Sequence, residues 1–213
     1  MLISTASRKL NSDLHSTHAN YGNRETGGGS ADRLVVTLDS LYQKNACKSY
    51  LDYGTGKGKL PLSLKKHLKS PYKISAYDPA NAQFDKHPSE PHDFLTCLDV
   101  LEHVEHNAIH SVLSDIRNLT KKIAFLIVDL QPAIKKLSTG QNAHILLAPH
   151  QWWSEQVSTH FPVFLTYPIY HRSGTLQKCG FICGTGPDKV DLVCYVTQKL
   201  KSHNTRVKGG YLG

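Results

Sequence analysis

Ser49-Tyr50-Leu51-Asp52-Tyr53-Gly54-Thr55-Gly56-Lys57-Gly58 is the stretch that decides the fold. Ser49 to Asp52 reads as a short strand. Three glycines at alternate positions follow, which lets the chain turn tightly and lets a ligand approach the backbone. Pro61 then falls early in a helix, where its missing N–H is tolerated, and Leu60, Leu64 and Leu68 form that helix's apolar stripe. A strand, a glycine turn and the free N–H groups of a helix start make up the place where open parallel sheets bind their ligands.

The flanking sequence extends this pattern in both directions. Upstream, Ala31, Leu34, Val35, Leu38, Leu41 and Tyr42 recur at helical spacing, with Asp32 in the first turn, where a carboxylate suits the helix dipole. Gly27-Gly28-Gly29-Ser30 separates that helix from a polar N-terminal arm. Downstream, Ile74 to Tyr77 predicts a second strand that stops at Asp78-Pro79. Residues 81–92 read as loop, and Phe94 to Leu98 as a buried strand. An amphipathic helix follows on Val104, Ala108, Ile109, Val112, Leu113, Ile116 and Leu119. Ile123 to Val128 is continuously apolar, as in a central parallel strand covered on both faces. Gln151 to His160 predicts a helix, and Val163 to Tyr167 and Val190 to Val196 predict strands. The stretch from His171 to Asp188, with four glycines, reads as a hairpin or an edge excursion and is left unplaced. Strands alternating with helices imply an α/β fold with a parallel sheet and right-handed crossovers.

At 213 residues the chain suits one domain. Its 39% apolar and 20% charged content excludes a disordered or membrane-embedded class. No apolar run reaches the length of a membrane helix, and Met1 to Leu14 carries no apolar signal core, so a cytoplasmic location is the default expectation. Five scattered cysteines argue against a disulfide framework, and Cys179 with Cys183 lacks the second pair a zinc site needs. The net charge of +8 leaves a nucleic-acid partner open. Only residues 199–213 concentrate that charge, which reads as a basic C-terminal tail after a domain spanning 31–198.

The glycine spacing is G-x-G-x-G, and Lys59 stands where a dinucleotide fingerprint has its third glycine. Two carboxylates accompany the loop: Asp52 just before it, and Asp78 at the tip of the second strand. A carboxylate at the second position can accept both hydroxyls of a ribose.

These residues resemble the class I S-adenosylmethionine-dependent methyltransferases. Ser49 to Gly58 is similar to the family's first motif and Tyr77-Asp78-Pro79 to its second. Cys97-Leu98-Asp99-Val100-Leu101-Glu102-His103-Val104 is similar to the segment after its fourth strand. Gly140-Gln141-Asn142-Ala143-His144, with Pro149 and Trp152-Trp153, resembles the small methyltransferases of phage genomes and the type 11/12 group. Many relatives there carry arginine where this chain has Gln141. The resemblance implies a Rossmann-like, mostly parallel sheet of seven strands, helices on both faces and the last strand antiparallel. It implies S-adenosylmethionine along Gly54, Thr55, Gly56 and Gly58. The ribose would lie on Asp78 beside Pro79, and the amino-acid end near Asp52, Leu98 and Asp99. The family's third-strand motif is missing; Phe84 or Asp85 takes the adenine position. Residues 1–30 become a lid through which Tyr21 reaches the cofactor.

Methyl transfer mainly needs the acceptor held in line, with a base where the acceptor carries a proton. His144 leads as base, followed by His103 and His150, with Asp99 beside them. Asp99, Glu102, His103 and a later histidine also resemble the metal-binding set of small-RNA terminal methyltransferases. The same Glu-His occurs widely in metal-free relatives, so no metal is expected. The absence of an N-P-P-Y motif speaks against DNA amino-methylation. The expected activity is methyl transfer to an unidentified small molecule. Nucleic acid or protein acceptors are the alternative, as is a catalytically silent binding module on the same fold. The oligomeric state is not legible.

Overall fold

The computed structural model describes residues 2–18, 21–22, 30–171 and 173–207. Among these residues six α-helices and six strands follow in the order α1 (Thr5–Thr17), α2 (Ser30–Gln43), β1 (Ser49–Tyr53), α3 (Lys59–His67), β2 (Lys73–Tyr77), β3 (His92–Leu98), α4 (Ile109–Leu119), β4 (Thr120–Asp129), α5 (His150–Ser158), β5 (Val163–Tyr170), β6 (Leu176–Gly184) and α6 (Val190–Val207). They build one sheet in the order β2-β1-β3-β4-β6-β5. The four strands from β2 to β4 run parallel, and β6 is antiparallel to both β4 and β5.

Side chains along the central strands alternate between the two faces, as strand geometry requires. On one face Leu51, Leu95, Cys97, Leu126 and Val128 meet Val112, Leu113 and Ile116 of α4 and Trp153 and Val157 of α5. On the other, Tyr50, Phe94, Phe125 and Ile127 meet Leu34, Leu38 and Leu41 of α2, Leu60 and Leu64 of α3, and Val193, Val196 and Leu200 of α6. All seven residues of β3 are buried, the signature of a parallel strand covered on both sides. Trp153 is fully buried, and Trp152 meets it edge-on.

The α/β class and the antiparallel last strand stand as expected, but the sheet has six strands rather than seven. Residues 78–91 run as turns and loop where a third parallel strand would lie. Pro79, Pro88 and Pro91 deny that stretch ladder donors. Val190 to Val196 is helix, not strand. Its β-branched residues lie at helical spacing, and Val193, Val196 and Leu200 share the buried face. The unassigned stretch after His171 supplies β6, which returns beside β5 and completes the sheet. The N-terminal arm contains a helix, capped by Ser4, whose hydroxyl accepts the Ser7 N–H. The boundary expected at residue 198 falls inside α6. The glycine break at 27–29 and residues 208–213 lie outside the described residues. Among the described residues no helix is long and apolar enough to cross a membrane. All five cysteines are free.

Asp93 ties the starts of three strands together. Its carboxylate accepts the N–H groups of Lys48 at 2.8 Å and Ser49 at 3.3 Å, and Lys122 lies 3.3 Å away. Burial would raise its pKa, but the Lys48 N–H and the Lys122 ammonium outweigh burial and hold it below the ordinary carboxylate range. A depressed folded-state pKa contributes stability above the unfolded value, and that stability is lost as pH falls through the folded value. Asp93→Asn should therefore lower the unfolding free energy by about 1–3 kcal/mol at neutral pH. The gap to the native chain should narrow in urea melts below pH 4.

Candidate active site

The turn leaving β1 is held from below. Asp52 is buried, and its two oxygens accept the hydroxyls of Thr55 at 2.7 Å and Thr96 at 2.8 Å. The Gly54 N–H donates to the Tyr77 carbonyl at 2.8 Å, which closes the turn against the end of β2. A Cβ on Gly54 would strike the Val100 side chain at 2.4 Å, so the turn sits tight against the segment after β3. Phe84 packs its ring on Gly58, where α3 begins.

Asp78, at the tip of β2, faces the same turn. One oxygen accepts the Gly56 N–H and the other the Ala80 N–H, each at 2.8 Å. Each oxygen has a second lone pair, and the residue lines the cleft. Burial raises the Asp78 pKa, and the Ala80 N–H opposes that shift. His15 of α1 lies 3.8 Å from the carboxylate, with its own pKa lowered by burial. The arm reaches further: the Lys57 N–H donates to the Gly22 carbonyl at 2.9 Å, and the Lys57 ammonium donates to the His18 carbonyl at 2.9 Å.

A cleft of about 480 Å³ follows the carboxyl edge of the sheet from this turn to the ends of β3 and β4, within the ordinary range for small-molecule sites. Of the residues singled out from sequence, Tyr21, Asp52, Gly54, Thr55, Gly56, Asp78, Pro79, Leu98, Asp99, His103 and His144 all line it. Gly58 and Phe84 do not; they support the turn from behind. Nor does His150, whose Nε2 bonds the Thr166 hydroxyl on β5.

At the far end, Asp99 adopts φ 52° and pairs with Lys178 at 3.0 Å, while Lys178 also lies 3.3 Å from Asp129. Burial works against the Lys178 charge, but Asp99 and Asp129 outweigh it and its pKa is raised. Glu102 is fully buried, and burial with Asp99 beside it pushes its carboxyl well above the usual range. The His103 Nδ1 bonds the Ala143 carbonyl at 2.7 Å, and its ring meets His144 edge-on at 4.9 Å. Burial, and then His144, bring its pKa down to about 4, so the imidazole is neutral at physiological pH. Tyr21 reaches this group, with its hydroxyl 3.4 Å from the His103 Nδ1. The loop carrying His144 is pinned by Asn142, whose side chain bonds both the N–H and the carbonyl of Ala133.

A family model described as a methyltransferase domain matches residues 28–166. The chain belongs to that methyltransferase-domain family. Comparison with curated proteins finds no match. Among solved structures, the fold resembles the 1,6-didemethyltoxoflavin N1-methyltransferase of Burkholderia thailandensis, solved with its acceptor and S-adenosylhomocysteine. The TM-score is 0.55 and the identity 13%, covering 84% of this chain and 88% of that one. It also resembles the N-methyltransferase NodS of Bradyrhizobium japonicum with S-adenosylhomocysteine, with a TM-score of 0.53 and 11% identity over 83% and 98% of the two chains. A third similar structure is the magnesium protoporphyrin IX methyltransferase of Synechocystis with bound S-adenosylmethionine, with a TM-score of 0.51 and 11% identity over 84% and 98%.

Sequence reasoning missed several residues that line the methyltransferase domain's cleft. Leu2 and Ile3 arrive from the segment before α1, Asn11 and His15 from α1, and Gln131 from the loop after β4. Lys178 arrives because the antiparallel register sets it opposite Asp129. Asp129 itself was legible, since it ends an apolar strand as Asp52 does.

The contact between the arm and the glycine turn is testable. A methyl group on Gly56, at φ +59°, would fall 2.6 Å from the Gly22 carbonyl oxygen. Gly56→Ala should cost on the order of 1–2 kcal/mol of stability, read by chemical denaturation. It should also speed protease cleavage in the arm.

Proposed function

We propose that the cleft binds S-adenosylmethionine and that the chain moves its methyl group to a small-molecule acceptor. One observation carries this reading: the Asp78 carboxylate and the Gly54–Gly56 turn face a common cleft at the carboxyl edge of the sheet. The fit is chemical. The turn is a backbone cradle that Cβ atoms would fill, and Asp78 offers lone pairs to a ribose diol. Asp52 serves the loop through Thr55 and Thr96, and stands beside the position expected for the amino-acid end.

The cofactor, when bound, supplies a methyl group already activated on a sulfonium. The chain's own residues bind, orient and exclude water. Asp52, Asp78, Asp99 and Asp129 line the cleft within a basic protein, which suits a cationic donor. Leu2 and Ile3 line the cleft, and His15 and Gly22 of the arm lie against Asp78 and Gly56, consistent with residues 1–30 acting as a lid. His103 and His144 mark the acceptor end, since their Nδ1 atoms face carbonyls and their Nε2 atoms keep lone pairs. The net charge of +8 supports a second reading, in which the acceptor belongs to a nucleic acid.

Calorimetry with S-adenosylhomocysteine should show binding to the native chain; no heat would sink the proposal. Asp78→Ala should weaken that binding about 10- to 100-fold, the equivalent of about 1.5–3 kcal/mol in charge-assisted hydrogen bonds. Unchanged affinity would remove the ribose assignment. Incubating the protein with labelled methyl donor and a cell extract separates the two acceptor readings. Label in the small-molecule fraction supports the first, and label in RNA or DNA supports the second.

A further inference from the structure

Glu102, His103 and His144 converge at the acceptor end of the cleft, with one ligand atom of each within 4.8 Å of the others. Packing alone does not require what surrounds them. Both imidazoles direct Nδ1 at a backbone carbonyl: His103 at Ala143, 2.7 Å, and His144 at Gln131, 2.6 Å. A carbonyl only accepts, so in the neutral rings Nδ1 carries the proton and Nε2 carries the lone pair. That outer hydrogen bond is how metal-binding histidines have their tautomer and ring plane set. Glu102 is fully buried. Its Oε1 accepts the Asp129 N–H at 3.2 Å, whereas its Oε2 has no hydrogen-bond partner among the described residues. A buried carboxylate oxygen without a partner is costly unless something binds it. Lys178, the nearest ammonium, is bonded to Asp99 and Asp129 instead.

We propose that Glu102, His103 and His144 hold a divalent transition-metal ion whose open coordination positions receive an oxygen of the methyl acceptor. The proposal deepens the methyltransferase reading of the cleft and rests on it for the identity of that oxygen. Two imidazoles and one carboxylate favour manganese, iron, cobalt or zinc over magnesium or calcium, which prefer all-oxygen sets. Three protein ligands leave positions for exogenous ones, as in sites that bind substrate. The acceptor is then a molecule with an oxygen donor at or beside the methylated atom. Pro132, Ala133 and Ile134 line the same cleft and supply an apolar wall for the rest of it.

The test uses the full chain, freed of metal by a chelator and titrated with cobalt(II) alone and with manganese(II) alone. One ion per chain is expected, with a visible cobalt spectrum of low coordination number. His144→Ala, on a loop and therefore benign to folding, should weaken binding at least tenfold, and Glu102→Gln should do the same. His110→Ala should leave it unchanged, because His110 is exposed and pairs with His160 outside this cluster. No binding by the native chain, or binding that neither His144→Ala nor Glu102→Gln weakens, overturns the site. S-adenosylhomocysteine affinity measured in parallel separates the two ideas. Cofactor binding without metal binding defeats the metal site alone. Metal binding without cofactor binding leaves the ion in place and defeats the methyl-transfer reading.

Discussion

The Gly56 N–H donates to the Asp78 carboxylate at 2.8 Å, and the site is organised around that bond. It ties the turn leaving β1 to the tip of β2, two points that the parallel ladder alone brings only into register. With the Gly54 N–H on the Tyr77 carbonyl, it gives the turn a single shape. The arm then closes over that shape, with Gly22 against Gly56 and His15 beside Asp78. A carboxylate that bonds the turn and also faces the cleft couples the geometry of the loop to whatever occupies the ribose position.

The second organising feature is the gathering of acidic groups at the carboxyl edge of the sheet. Asp78, Asp99 and Asp129 end, or immediately follow, β2, β3 and β4, and Asp52 is the penultimate residue of β1. Strand ends are where side chains leave the packed interior without losing its support, so successive strands present their carboxylates to one cleft. Lys178 partly neutralises the far end, and Glu102 lies beneath it. The cleft therefore offers a negative wall to a cationic donor at one end and the imidazoles of His103 and His144 at the other.

Most of the central sheet was legible because its segments are long and periodic. The apolar runs of β3 and β4, the amphipathic stripe of α4 and the glycine turn each bury enough local surface to override their context. The reading failed where context overrode local preference. Val190 to Val196 carries strand-forming residues, yet α6 forms because Val193, Val196 and Leu200 cover a face of the sheet that needs a helix. The seventh strand was inferred from family resemblance, whereas the prolines between β2 and β3 already argued against it. Phe84 was assigned the adenine position of a missing third-strand motif, and its ring packs on Gly58, where α3 begins.

What the sequence by itself determined is the chemistry at each strand end: a glycine turn between carboxylates, a Glu-His pair after β3, and the order in which they arise. These depend on residue type and near neighbours, and both are written in the chain. Only the tertiary structure decided which distant groups share a space. It set Lys178 against Asp99 and Asp129 through an antiparallel register, laid α1 over the turn, and brought His144 beside Glu102 and His103. No local rule encodes these contacts, because each depends on where a crossover or loop returns to the sheet, and burial of the whole core sets that return.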